Sequence, residues 1–134
     1  MKLGLMSAAL PQLSLEALAE WASANRFGML EIACWPVGKS ERRYSGVTHI
    51  DVAALNQSRA DEIARLLERT GLQISSLGYY PNPLHADAEH RQQVAEHLKK
   101  VISAAAMLRV PVVGTFVGRD RHKTLEANFA AFAE

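Results

Sequence analysis

The sequence predicts an α/β fold built on a parallel sheet, and three observations carry that expectation. Four short apolar runs alternate with four amphipathic runs of helical length along 134 residues. Each apolar run passes into its helix through a loop of turn-forming and polar residues. Polar and aromatic side chains also gather where the apolar runs end. Strand, helix and strand in alternation is how a parallel sheet is connected, because parallel strands need a crossover. The fourth helix-length run reaches Glu134 unfinished, so the repeat reads as half of a larger one.

The first unit opens with Leu3–Met6, short and apolar enough for a strand covered on both faces. The loop Ser7–Leu13 carries Pro11. Ser14 suits an N-cap, Glu16 suits the positive first turn, and Leu15, Leu18, Ala19 and Ala22 mark one apolar face over 15–26. Gly28 is the expected terminator. The second strand is Met29–Ala33, followed by a long polar loop from Cys34 to about Leu55. Loops of that length in compact domains are often functional. The helix from about Asn56 to Thr70 places Ile63, Leu66 and Leu67 together and closes at Gly71.

The third strand, Gln73–Leu77, runs into Gly78-Tyr79-Tyr80-Pro81-Asn82-Pro83-Leu84-His85, where two prolines exclude a helix. The next helix, 87–108, buries Val94, Leu98, Val101, Ile102 and Ala105. Pro111 precedes the fourth strand, Val112–Phe116, and the loop Val117–Lys123 feeds the last helix from Thr124. Neither a linker nor a low-complexity tract interrupts the chain, so residues 1–134 read as one domain.

Composition narrows the function classes. A formal charge of +1, with Lys and Arg interspersed among Asp and Glu, gives no basic face for nucleic acid. Cys34 is the single cysteine, which excludes an intramolecular disulfide and a thiolate metal cluster. The start lacks the ~7–15-residue apolar core of a signal peptide, and no run reaches the ~18 apolar residues of a spanning helix. A cytoplasmic protein with no membrane partner is expected.

An open doubly wound sheet and a closed (β/α)₈ barrel both accommodate these elements. A dinucleotide-binding open sheet would show G-x-G-x-x-G after its first strand, where this chain has Met6-Ser7-Ala8-Ala9-Leu10-Pro11. Barrel active sites are built from βα loops at strand C-termini, and Glu31, Trp35, Tyr79, Tyr80, Asn82, Thr115 and Arg119 lie at such positions.

The run Leu13–Ala22 before Leu30-Glu31-Ile32 resembles the start of sugar phosphate isomerase/epimerase proteins, the xylose-isomerase-like TIM barrels. Gly46–Asp51, Ser76–Leu84 and Gly114–Asp120 resemble loops of the same family in the same order. The resemblance implies about four of the eight units of a TIM barrel, with residues 1–134 as its N-terminal half. It also implies a metal-dependent enzyme moving a proton next to a carbonyl of a small sugar or sugar phosphate. The divalent metal (Mn, Mg, Zn or Co) would be held by residues beyond 134. No catalytic residue and no metal ligand is therefore assigned within this sequence.

The expected substrate-binding residues are Glu31, Trp35, His49, Tyr80, Asn82, His85, Thr115 and Arg119. Glu31 is a carboxylate inside a buried strand, where an unpaired charge is costly, so a structural ion pair competes with a substrate role. His49 with Asp51 is either an oriented imidazole or a loop anchor with a turn-supporting carboxylate. Arg42 and Arg43 either meet an anionic substrate group or edge a solvated loop. Trp35, Tyr79 and Tyr80 suit an apolar wall against a sugar ring and equally suit a core cap. His90 and His97 read as surface or packing histidines, and Cys34 as a small core residue.

Isolated residues 1–134 are expected to be inactive and to self-associate as a homo-oligomer through two free sheet edges. A non-enzymatic α/β module binding a small ligand or partner is the competing reading. An endonuclease-like DNA enzyme is disfavoured by charge and by Tyr79-Tyr80 and Phe116-Val117 at the strand ends.

Overall fold

The computed structural model describes residues 1–38 and 45–133. Four strands, β1 (Gly4–Met6), β2 (Met29–Ala33), β3 (Gln73–Gly78) and β4 (Val113–Gly114), form one parallel sheet in the order β1-β2-β3-β4. Helices α1 (Leu15–Ala24), α2 (Gln57–Thr70), α3 (Ala88–Met107) and α4 (Leu125–Ala133) follow them in turn. A doubly wound sheet reverses its strand order partway. Here every crossover steps the same way, and crossovers of one hand then place the helices on one face. The packing agrees, because Leu18, Ile63 and Val101 from α1, α2 and α3 share one buried cluster with Leu30, Ile32 and Leu77. This is the arrangement of a barrel wall.

The helix starts follow their caps. Ser14 accepts from the Ala17 amide at 3.2 Å, Asn56 from Arg59 at 3.0 Å and Asp87 from Glu89 at 2.9 Å. Thr124 accepts from Ala127 at 3.2 Å at the start of α4. The helix ends share a motif that the sequence hides. After α2, Gly71 is left-handed (φ 69°) and the Leu72 amide reaches back to the Leu67 carbonyl at 3.1 Å. After α1 and α3 the same left-handed position is filled by Arg26 (φ 63°) and Arg109 (φ 56°). Phe27 and Val110 then make the back-bond, to Ala22 at 3.0 Å and Ala105 at 2.8 Å. This is the Schellman closure, in which an apolar residue past the turn packs on the helix. α1 therefore ends at Ala24, two residues short of the expected 26, and the left-handed residue that closes it is Arg26, not Gly28. Strand β4 is also shorter than the apolar run Val112–Phe116, because only Val113 and Gly114 pair with β3.

Strand alternation divides the sheet into two faces. Leu5, Leu30, Ile32, Leu77, Tyr79 and Val113 pack toward the helices. Met6, Glu31, Ala33, Gly78, Tyr80 and Gly114 take the opposite parity and belong to the concave face, which is the lumen side of a barrel. One irregularity sets this division. Leu30 pairs with Ile74 but Glu31 pairs with Ser76, so Ser75 is an extra residue in β3. The Ser75 hydroxyl donates to the Leu30 carbonyl at 3.1 Å. The bulge lets Ile74 and Leu77, three apart, both face the helices, and it puts Ser76 beside Glu31 on the concave face.

Candidate functional site

Glu31 is the one charged side chain that strand parity puts on the concave face among the described residues. Tyr80 donates its phenol to Glu31 Oε1 at 2.7 Å, and Ser76 donates its hydroxyl to Oε2 at 3.0 Å. The expected ion pair is not formed among the described residues, whose salt bridges join Arg59 to Glu16 and Glu62 and Arg69 to Glu20. Neutral hydroxyls satisfy this carboxylate instead. Burial, followed by the hydrogen bond to Glu31 and its negative charge, pushes the Tyr80 phenol up to about 12. It therefore remains a donor at neutral pH.

Two glycines make room for this pair. A Cβ on Gly78 would stand 2.8 Å from Tyr80 Cε2 and 2.9 Å from Glu31 Oε1, and one on Gly114 would overlap the Tyr80 hydroxyl. Tyr80 thus lies across the bare backbone of β3 and β4 with its hydroxyl on β2. Phe116 packs beside it, ring centroids 5.0 Å apart and tilted by 49°, and remains 59% exposed. The concave face carries a carboxylate, two hydroxyls and two aromatic rings.

The other expected residues are placed elsewhere. Trp35 packs edge-on against Tyr79 at 5.1 Å, and Tyr79 meets His97 at 4.6 Å, so Tyr79 faces the helices and not the concave wall. His97 is a packing residue whose Nε2 lies 2.8 Å from the Cys34 carbonyl, tying α3 to the end of β2. Cys34 is fully buried, and burial pushes its thiol up to about 12. Asn82 acts as a staple, donating to the Arg119 carbonyl at 2.8 Å and accepting from Leu84 at 3.0 Å. It joins the loops after β3 and β4 beside the left-handed Gly118. Arg119 and Thr115 are exposed, Thr115 at the parity opposite to the concave face. His85 is exposed at the start of α3, where Nδ1 accepts from the Asp87 amide at 3.2 Å and the ring touches His90.

His49 and Asp51 border a separate cavity of about 850 Å³, with Pro11, Leu55 and Arg59 among its walls. Of the two readings left open for them, the oriented imidazole held by Asp51 is not formed, and Asp51 supports a turn as the other reading had it. Asp51 Oδ1 accepts from the Ala53 amide at 3.0 Å, and both ring nitrogens of His49 are buried without a hydrogen-bond partner among the described residues. Burial holds the His49 pKa below the usual histidine range, opposed by the nearby backbone of Leu10 and Leu13, which does not reach hydrogen-bond geometry. Arg42 and Arg43 lie outside the described residues.

Ser76, Phe116, Gly78 and Gly114 were not among the expected site residues. Their signal is parity. Alternation from the helix-facing Leu77 and Val113 puts them, at odd offsets, on the concave face, but alternation from Ile74 misplaces Ser76 because of the bulge. Among the described residues no three His, Cys, Asp or Glu are grouped to hold a metal ion. The residues present therefore do not fit the implied divalent metal, and no chemical step is assigned to it. No described helix is long and apolar enough to cross a membrane.

No curated protein matches the chain. Among solved structures it is similar to a crystal structure described as a candidate xylose isomerase from Rhodospirillum rubrum, with a TM-score of 0.64 and 20% identity. That match covers 99% of this chain and 45% of the other, so the chain spans less than half the length of its structural relative. The likeness supports the fold, with sequential strands and all core helices on one side. Residues 19–134 match the family model described as xylose isomerase-like TIM barrel, and the chain belongs to that family.

Proposed function

We propose that this chain supplies the β1–β4 wall of the substrate site in a sugar isomerase or epimerase. The observation that carries the reading is Glu31, held on the concave face by Tyr80 and Ser76 with no cation beside it among the described residues. A carboxylate in that setting accepts hydrogen bonds from ligand hydroxyls strongly, because ionised acceptors bond more tightly than neutral ones. Tyr80 and Phe116 supply ring faces for the C–H surface of a sugar and keep water from that side.

Family membership supports a reaction that moves a proton between carbons next to a carbonyl. Such a transfer needs a general base and a group that returns the proton. Both oxygens of Glu31 are already engaged, so its role here is to orient hydroxyls. The proton-moving groups and any metal would come from beyond these residues, and residues 1–134 alone would bind without turnover.

Titrating the protein with ketopentoses and ketohexoses tests the reading through the ring resonances of Tyr80 and Phe116. Saturable shifts that weaken about tenfold or more in Glu31→Ala are expected, matching the ~1.5–3 kcal/mol of a charged hydrogen bond. Absence of saturable shifts with every sugar would overturn it. Deuterium incorporation next to the carbonyl by residues 1–134 alone would overturn the claim of binding without turnover.

A further inference from the structure

Among the described residues, the charge that strand parity places on the concave face has one sign. Glu31 is the charged side chain assigned to it, and its partners Tyr80 and Ser76 are neutral donors that leave its negative charge in place. The rings of Tyr80 and Phe116, tilted against each other at 5.0 Å, add no positive charge, and the faces of such rings are electron-rich. The residues flanking them by strand parity, Met6, Ala33, Gly78 and Gly114, carry no charge. The described cation nearest in sequence beyond β4, Arg119, is exposed on its loop, with its carbonyl held by Asn82.

A phosphate laid on this face would meet a carboxylate and two electron-rich rings. A hydroxyl or a protonated amine would meet acceptors. Opposite unit charges a few ångströms apart at a partly exposed protein site interact by a few kcal/mol, and like charges repel by as much, so charge decides between otherwise similar ligands.

We propose that the part of the substrate resting on β2–β4 is an unphosphorylated polyol, and that this face selects by charge, preferring an amine-bearing sugar to the neutral sugar and the neutral sugar to its phosphate ester. The proposal rests on the sugar-binding reading above and adds the charge class of the ligand.

The test compares dissociation constants for three forms of each ketose: the free sugar, its monophosphate ester and its amino-deoxy analogue. Binding is read at low ionic strength from the Tyr80 and Phe116 ring resonances. The expected order is amine tightest and phosphate weakest, spanning at least about tenfold and shrinking with added salt. Glu31→Gln keeps the size of the side chain and removes its charge, so the order should collapse in that variant. Tyr80→Phe keeps the charge and removes one donor, so the order should survive even where overall affinity falls.

If no form of any ketose binds, the sugar-binding reading falls and this inference with it. If the sugars bind but the phosphate ester equals or exceeds the free sugar, charge selection alone is overturned. Persistence of the order in Glu31→Gln would also overturn it, by placing the selecting charge elsewhere.

Discussion

Glu31 shows how a single position acquires a role from its neighbours. Its sequence context is only a carboxylate in an apolar strand, and a buried charge without a partner is costly. Neutral hydroxyls from β3 and the residues just after it meet that requirement, and glycines on β3 and β4 leave space for the donor ring. Gly78→Ala should therefore displace Tyr80 or Glu31 and destabilise the fold by about 1–3 kcal/mol, the range for overpacking a filled site. Chemical denaturation measures that loss, and loss of the Tyr80–Phe116 contact in nuclear Overhauser spectra locates it. His49 gives a pH dependence. Its folded pKa is depressed by burial, so below the ordinary value of ~6.5 the unfolded chain binds more protons than the folded one. The contribution of neutral His49 is complete above that value and is lost as pH falls toward the folded pKa. Thermal midpoints should drop as pH falls below about 6.5, and less steeply in His49→Gln. An equal slope in the variant would assign the effect to other groups.

The three helix-to-strand junctions are one device written in different residues. Arg26, Gly71 and Arg109 each take a left-handed φ, and Phe27, Leu72 and Val110 each follow as the packed apolar residue. Only Gly adopts that conformation without steric penalty. Arg109→Gly should stabilise the protein by roughly 0.5–1 kcal/mol, and Gly71→Arg should destabilise it by a similar amount. Urea midpoints of the two variants check both signs. The element pattern was legible because apolar spacing, caps and Pro111 all act locally. The Schellman closures after α1 and α3 were not, since arginine carries no propensity signal for that turn. The bulge at Ser75 was legible only as a parity conflict between Ile74 and Leu77.

At the scale of the molecule, apolar side chains collect where the sheet is not covered. Leu3 and Met6 at β1, Val112, Phe116 and Val117 around β4, and Leu125, Phe129 and Phe132 on α4 are all exposed. In α4 only Asn128 is buried, and it caps the preceding loop through the Asp120 backbone. The outer edges of β1 and β4, which pair with no further strand among the described residues, add unpaired backbone groups to that surface. Purified residues 1–134 should therefore self-associate with rising concentration, and Phe129→Asp with Phe132→Asp should shift sedimentation toward monomer. A monomer unchanged by these substitutions would show that the exposed surface does not drive assembly.

The sequence by itself determined the four β/α units, most of their boundaries, the parallel sheet and the family, because periodicity, capping and turn chemistry are short-range. It also singled out Glu31 and Tyr80. The tertiary structure decided which residues meet. It turned Tyr79 toward the helices and Tyr80 onto the concave face, joined Glu31 to Ser76 through a bulge, made Asn82 a staple, and left His49 and Asp51 on a shared cavity without bonding to each other. The physical reason is that a side chain's partners depend on strand register and on the space left by neighbouring glycines. Both are set by packing between segments as far apart as Glu31 and Tyr80, 49 residues along the chain.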